Sequence, residues 1–156
     1  MNLKFYSPVV FVKDIGEAKK FYAEVLGQET EHDFGANIIF KSRLSLWQIS
    51  EKHEIAGIAG KPENGSTFEL YFETDNIEES SGKVKATGVK FLHDIKTEPW
   101  GQMTFRFFDP DGHLVEIGEA FNVFLQRIYS ETKSIEETSR KTGVPVATVS
   151  EIVNKK

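Results

Sequence analysis

Through the first 119 residues, apolar and polar positions alternate in short runs, broken twice by stretches with helical spacing. Residues 4–12 read as a strand, with Pro8 implying an edge or irregular position because proline donates no ladder hydrogen bond. Asp14 then predicts a helix N-cap, with Glu17 closing a capping box. Ala18, Phe21, Tyr22, Val25 and Leu26 keep the i, i+3, i+4, i+7, i+8 spacing of one buried face, and Gly27 is the expected left-handed stop. Strands are expected at about residues 29–34, 37–41 and 43–49. Residues 50–66, with Gly57, Gly60, Pro62 and Gly65, read as a loop. A strand over 67–74 follows, then a helix over 77–87 capped by Asp75 or Asn76 and stopped by Gly88. Strands over 91–95, 103–108 and 113–117 complete the half, the last two joined by the tight-turn chemistry of Asp109-Pro110-Asp111-Gly112.

The two halves repeat one another. Phe11-Val12-Lys13-Asp14-Ile15, with its helix ending Leu26-Gly27, corresponds to Phe72-Glu73-Thr74-Asp75-Asn76-Ile77, with its helix ending Thr87-Gly88. A duplication at roughly 60 residues is a strong organisational signal. It predicts an α+β protein of two βαβββ modules, about 1–50 and 66–119, whose mixed sheets curl around a cleft with helices outside. Residues 120–156 read as a helical extension. Its first helix spans about 120–129 with Phe121, Phe124, Leu125 and Ile128 on one face; Ser134 caps a second to Thr142; Gly143 turns the chain; and Pro145 opens a third to about Asn154.

Composition narrows the function classes. The 156 residues carry a net charge of −5, which argues against a general nucleic-acid surface of clustered cations. No apolar run approaches the roughly 20 residues needed to span a bilayer. Residues 1–4 lead directly into a strand with no signal-peptide core, so a cytoplasmic location is expected. With no cysteine, thiolate metal sites, disulfides and cysteine nucleophiles are excluded. The 13 Phe, 4 Tyr and 2 Trp fit either a well-filled β core or an aromatic-lined cavity.

Val12-Lys13-Asp14-Ile15, Ala18, Phe21-Tyr22 and Val25-Leu26-Gly27, followed later by Asp109 through Glu116, resemble in order and spacing the vicinal-oxygen-chelate superfamily of glyoxalases, bleomycin-resistance proteins and dioxygenases. The resemblance covers about residues 3–119. It implies metal ligands on the first and last strand of each module, at Ser7, at Ser45 or Trp47, at Glu69 and at Glu116. Only Glu116 carries the residue type usual there; histidine is usual at Ser7 and often found at Glu69. A transition metal draws on imidazole and carboxylate together, so no cofactor is expected, or at most a weakly held divalent cation on Glu69 and Glu116. His113, His32, His93 and His53 are placed in turns, charged strands or the loop, not in the site. Residues 135–154, above all Thr142 to Ser150, resemble the helix-turn-helix of lactose-repressor-type regulators. The second helix nevertheless offers few cations, so nucleic acid is not expected as a partner.

Pairing Phe107 with Leu114 and Phe105 with Glu116 across the 109–112 turn gives a cleft face of Phe5, Ser7, Val9, Ser45, Trp47, Thr67, Glu69, Tyr71, Phe105, Phe107, Leu114 and Glu116. Two acids close together in such a cleft would repel, raising at least one pKa and favouring a cationic ligand. The resemblance further implies that Trp100, in the Glu98-Pro99-Trp100-Gly101 turn, lies at its mouth, because such a Pro-Trp-Gly loop stands there in related sequences. The expected ligand contacts are therefore Ser7, Trp47, Glu69, Tyr71, Trp100, Phe105, Phe107 and Glu116. The function read from this is metal-independent sequestration of an aromatic or cationic small molecule, and the family resemblance implies a homodimer. The rivals are a glyoxalase-type lyase, isomerase or transferase with a divalent metal on Glu69 and Glu116, where Glu116 would be catalytic, and a ligand-responsive DNA-binding regulator.

Overall fold

A computed structural model describes residues 6–53, 56 and 68–155. Thirteen elements follow in chain order: β1 (Val9–Phe11), α1 (Ile15–Glu24), β2 (Thr30–Asp33), β3 (Asn37–Phe40), β4 (Ser45–Trp47), β5 (Glu69–Thr74), α2 (Ile77–Ala86), β6 (Phe91–Thr97), β7 (Met103–Phe108), β8 (Leu114–Glu119), α3 (Phe121–Thr132), α4 (Ile135–Thr142) and α5 (Val146–Asn154). The βαβββ order appears twice. Phe5 and Thr67, both expected on the cleft face, lie outside the described residues.

The chain divides into two compact units, 1–68 with the turn Asp109–His113, and 69–108 with 114–156. The first holds a four-stranded mixed sheet in the order β1-β4-β3-β2, with β1 parallel to β4 and the other pairs antiparallel. Val10, Leu46, Ile38 and Phe40 form its buried layer with Ala18, Phe21 and Tyr22 of α1. Asp14 caps α1 by accepting from the Glu17 amide at 2.8 Å. The Tyr22 ring stacks on Phe40 with centroids 6.0 Å apart, and its hydroxyl donates to Asp109 at 2.9 Å. That carboxylate also accepts from the amides of Asp111 (3.0 Å) and His113 (2.8 Å) and lies 2.9 Å from the His113 ring nitrogen, which locks the turn. Burial works to raise the Asp109 pKa, but His113 and Tyr22 outweigh it and hold the carboxyl below its ordinary value. Burial beside Asp109 pushes the Tyr22 phenol well upward.

The second sheet repeats the topology, β5-β8-β7-β6, with β5 parallel to β8. Asn76, one of the two expected caps, receives the Glu79 amide at the start of α2. Here the register differs from that read in the sequence. Asp109 pairs with His113, its amide donating to the His113 carbonyl, around a three-residue loop that ends on Gly112 at φ 88°. Phe108 therefore faces Leu114, Phe107 faces Val115, Arg106 faces Glu116 and Phe105 faces Ile117. A slip of one residue exchanges the faces of a strand. Phe105 and Phe107 thus turn away from Glu116 and are fully buried, with Phe91 stacked 5.7 Å from Phe105 and Val115 and Ile117 beside them.

The helical extension belongs to the second unit. Phe124, Leu125 and Ile128 of α3 cluster with Val149 of α5 and with Ile135, Val144, Ile152 and Val153, while Phe121 is exposed. Ser134 caps α4 through the Glu137 amide at 3.2 Å, and Gly143 ends it at φ 74°. Among the described residues no helix is long and apolar enough to cross a membrane.

Candidate functional site

Strand alternation in the first unit places Ser7, Val9, Ser45 and Trp47 on one side of the sheet, opposite the layer packed on α1. The Ser7 oxygen lies 2.5 Å from the Arg43 carbonyl, 2.7 Å from the Pro8 carbonyl and 2.7 Å from the Ser45 hydroxyl. A hydroxyl has one proton, and these carbonyls take it, so Ser45 donates to Ser7. The serine pair is closed upon itself. Trp47 is half-buried, with Phe11 at 6.1 Å and His53 edge-on at 5.2 Å.

In the second unit, the pairings Tyr71↔Glu116, Glu69↔Leu114 and Arg106↔Glu116 set Glu69, Tyr71, Glu116 and Arg106 on one face. Arg106 organises it. Its Nε donates to Glu69 at 3.1 Å, its Nη1 donates to Glu98 at 2.8 Å, and its Nη2 is paired with Glu116. His93 Nε2 lies 3.2 Å from Nη1, while its Nδ1 lies 2.8 Å from the Asp94 carbonyl. A carbonyl only accepts and a guanidinium only donates, so His93 carries its proton on Nδ1 and turns a lone pair toward Arg106. Glu98 also accepts from Thr104 at 2.9 Å and pairs with Lys96 at 3.3 Å. Burial pushes the Glu98 pKa up, yet Arg106, Thr104 and Lys96 together hold it at about 2. Burial likewise works against the charge on Arg106, but Glu98 and Glu69 raise its pKa, so the guanidinium is a permanent cation. The expectation of two acids repelling one another is corrected accordingly: a cation stands between them.

Tyr71 is exposed, and its hydroxyl donates to Glu73 at 3.2 Å and accepts from Gln102 at 2.9 Å. Burial, set against the Gln102 hydrogen bond, raises its pKa. Gln102 donates also to the Glu119 carbonyl at 2.8 Å and accepts from the Trp100 indole N–H at 3.0 Å. One buried amide thus joins two exposed aromatic rings. Gly118 makes this close packing workable, since a Cβ there would stand 3.0 Å from the Tyr71 hydroxyl and 3.1 Å from Gln102 Nε2. The loop bearing Trp100 is held by α3. Arg127 donates to both Glu119 oxygens and to the Gly101 carbonyl, each at 2.7 Å, and Glu119 takes the Met103 amide at 2.8 Å.

Of the residues expected to contact a ligand, Glu69, Tyr71, Trp100 and Glu116 come together in the second unit. Phe105 and Phe107 lie on its opposite face, in the core. Ser7 and Trp47 share a face of the first unit. Arg106, Glu98, His93 and Gln102 were missed. Arg106 sits between two phenylalanines in Phe105-Arg106-Phe107, a lone cation in an apolar strand, and that alternation marks it as facing a polar layer.

The superfamily implies a divalent metal, and the residues present do not fit one. The Ser7 hydroxyl is engaged by carbonyls and Ser45, while Glu69 and Glu116 are ion-paired to Arg106. None of the implied positions supplies an imidazole. Among the described residues, no three acidic or histidine side chains stand close enough together to hold a metal ion.

Two βαβββ modules with parallel first and last strands define an α+β protein of the vicinal-oxygen-chelate kind. A family model for a glyoxalase-like domain matches residues 5–122, and the chain belongs to that family. A solved structure of a protein of unknown function from Agrobacterium tumefaciens str. C58 is 30% identical, with a TM-score of 0.65, over 78% of this chain and 97% of that one. A lactoylglutathione lyase from Agrobacterium tumefaciens is 23% identical at a TM-score of 0.57, over 77% and 96%. A glyoxalase/bleomycin resistance protein/dioxygenase from Nocardioides is 19% identical at 0.61, over 76% and 85%. The latter two share the fold alone. No curated protein matches the chain. The family match ends at residue 122, so α4, α5 and most of α3 lie beyond it.

Proposed function

We propose that this protein binds a flat small molecule on the polar face of its second sheet without the help of a metal ion. The observation that carries this reading is the engagement of Glu69 and Glu116 by Arg106, which leaves neither acid free to anchor a divalent ion. Beside them, the exposed Tyr71 and Trp100 rings are held by Gln102 and offer π-faces at little entropic cost. Glu73 and the outer part of Glu69 favour a ligand carrying a cation or hydrogen-bond donors, which the aromatic faces also attract. A homodimer in the cytoplasm completes the reading, and sedimentation checks the dimer. The test has two parts. Elemental analysis, with melting curves in EDTA and in divalent ions, should find no stoichiometric metal and no shift. A panel of planar cations, metal-free bleomycin and ethidium among them, should include one that quenches tryptophan fluorescence saturably, unchanged by EDTA and weakened about tenfold or more by Tyr71→Ala. One equivalent of tightly held metal would instead establish the metal-dependent enzyme of the family. A panel without a binder would retire sequestration of planar cations.

A further inference from the structure

We infer that Arg127 is a positioning residue of the ligand face: by pinning Glu119 and Gly101 it fixes Gln102, and Gln102 aims the Trp100 ring. The inference rests on the reading of that face as a binding surface. It assigns control of that surface to a residue beyond the family domain.

One stripe of α3 meets the loop that bears Trp100. Phe124, Arg127, Ile128 and Glu131 recur at the i, i+3, i+4, i+7 spacing of a single helix face. Phe124 and Ile128 supply its apolar part. A Cβ on the buried Gly101 would stand 3.6 Å from a Phe124 ring carbon and 3.5 Å from Ile128 Cδ1, so the loop backbone lies directly on these side chains. Gly101 takes a φ of 97°, a conformation open to glycine, and its amide closes the turn on the Glu98 carbonyl at 2.8 Å. Arg127, on the same stripe, supplies the polar contacts.

Its guanidinium holds three successive loop residues, directly or through one carboxylate. Nη2 donates to the Gly101 carbonyl at 2.7 Å. Nε and Nη2 hold the two Glu119 oxygens, also at 2.7 Å each. Glu119 in turn takes the Met103 amide on its side chain and Gln102 Nε2 on its backbone carbonyl, both at 2.8 Å. With Nε2 committed to Glu119 and Tyr71, Gln102 presents Oε1 to Trp100, and the indole N–H meets it at 3.0 Å. The Glu119 side chain is 5% exposed and is ion-paired to Arg127; a carboxylate so buried is strongly destabilising when its partner is removed. An arginine that only docked α3 would need Glu119 alone. The further contact, on the loop carbonyl, is the one that bears on Trp100. Glu131 pairs with Arg127 at 3.3 Å and with Lys141 at 2.8 Å, but these pairs are exposed and contribute little by themselves. Trp100 is 43% exposed, so packing alone does not fix its ring, and its aim depends on Gln102.

The experiment follows the Trp100 indole N–H by NMR in the full ¹⁵N-labelled chain, its cross-peak assigned as the one lost in Trp100→Phe. In Arg127→Met the peak should move, and its exchange with water should quicken several-fold as the hydrogen bond to Gln102 loosens. Tyr22→Phe, which weakens the fold within the first unit, should leave the peak in place. A peak that Arg127→Met leaves unmoved, or that Tyr22→Phe displaces equally, overturns the inference. Should Arg127→Met not fold, Arg127→Lys replaces it. The lysine keeps a cation for Glu119 but lacks the planar fork, so the same peak should move by a smaller amount, and an unmoved peak overturns the inference. Ethidium titrated into the same proteins extends the test to binding. Arg127→Met should bind it at least about threefold more weakly, with Tyr71 and Trp100 both in place, and Tyr22→Phe should bind it as the unaltered chain does. Unchanged ethidium affinity in a protein whose Trp100 peak has moved overturns control of the ligand face. Absence of ethidium binding by the unaltered chain counts against the planar-cation reading and not against the positioning of Trp100, which the indole peak decides by itself.

Discussion

The substitution Glu98→Gln is the sharpest test of the charge arrangement on the second sheet, because it removes one charge while keeping the side chain's shape. The carbonyl oxygen of the new amide can still accept from Arg106 and Thr104, so the substitution isolates charge from packing. The Glu98 carboxyl is held at about 2 against an ordinary 4.5, although burial alone would raise it. A difference of that size corresponds to about 3 kcal/mol at most by linkage, and solvent screening around the exposed Lys96 arm reduces it to about 1.5–2 kcal/mol. Since the folded-state pKa is depressed, the contribution is fully present above pH 4.5 and is lost as the pH falls toward 2. Urea denaturation of both proteins at pH 7, 4 and 2.5 measures it. The stability gap should be about 1.5–2 kcal/mol at pH 7 and shrink steadily toward pH 2. A gap that stays constant across that range would show that the loss comes from packing, and the electrostatic reasoning would fail.

Other perturbations probe the remaining supports. Tyr22→Phe keeps the stack on Phe40 but deprives Asp109 of a charged hydrogen bond, which should cost about 1.5–3 kcal/mol and lower the melting temperature by several degrees in calorimetry. Arg127→Met severs the link from α3 to Glu119 and Gly101, and hydrogen exchange at the Met103 amide, which rests on Glu119, should speed up by an order of magnitude or more. Gly118→Ala drives a methyl against Tyr71 and Gln102 and should cost about 1–3 kcal/mol; in a Tyr71→Ala background most of that cost should vanish, as a double-mutant cycle would measure.

Residues that act through their own neighbours in the chain were legible from the start. Asp14, Asn76 and Ser134 stand where a side-chain oxygen is needed before a helical turn, and each takes the amide three residues on. The apolar spacing through Tyr22 and through Ile128 marked the buried faces of α1 and α3, and the repeated βαβββ order marked the fold. The choice of face in the second sheet was not legible. The turn at Asp109-Pro110-Asp111-Gly112 allows either a four-residue or a three-residue loop by local chemistry. Asp109 decides between them, because its carboxylate draws in the amides of both Asp111 and His113 and so pairs 109 with 113. That shift buries Phe105 and Phe107 and turns Arg106 toward Glu116.

The amino-acid sequence by itself thus determined the elements, the duplicated module, the family and the absence of the usual histidines, since each depends on residue type and short-range spacing. Only the tertiary structure decided what the retained acids do. Glu69, Glu98 and Glu116 lie far apart along the chain, and a guanidinium reaches all three only when β5, β8, β7 and β6 are laid side by side in one particular register. Charge neutralisation acts over a few ångströms of space and not over sequence distance, so the identity of the cation at that face belongs to the sheet.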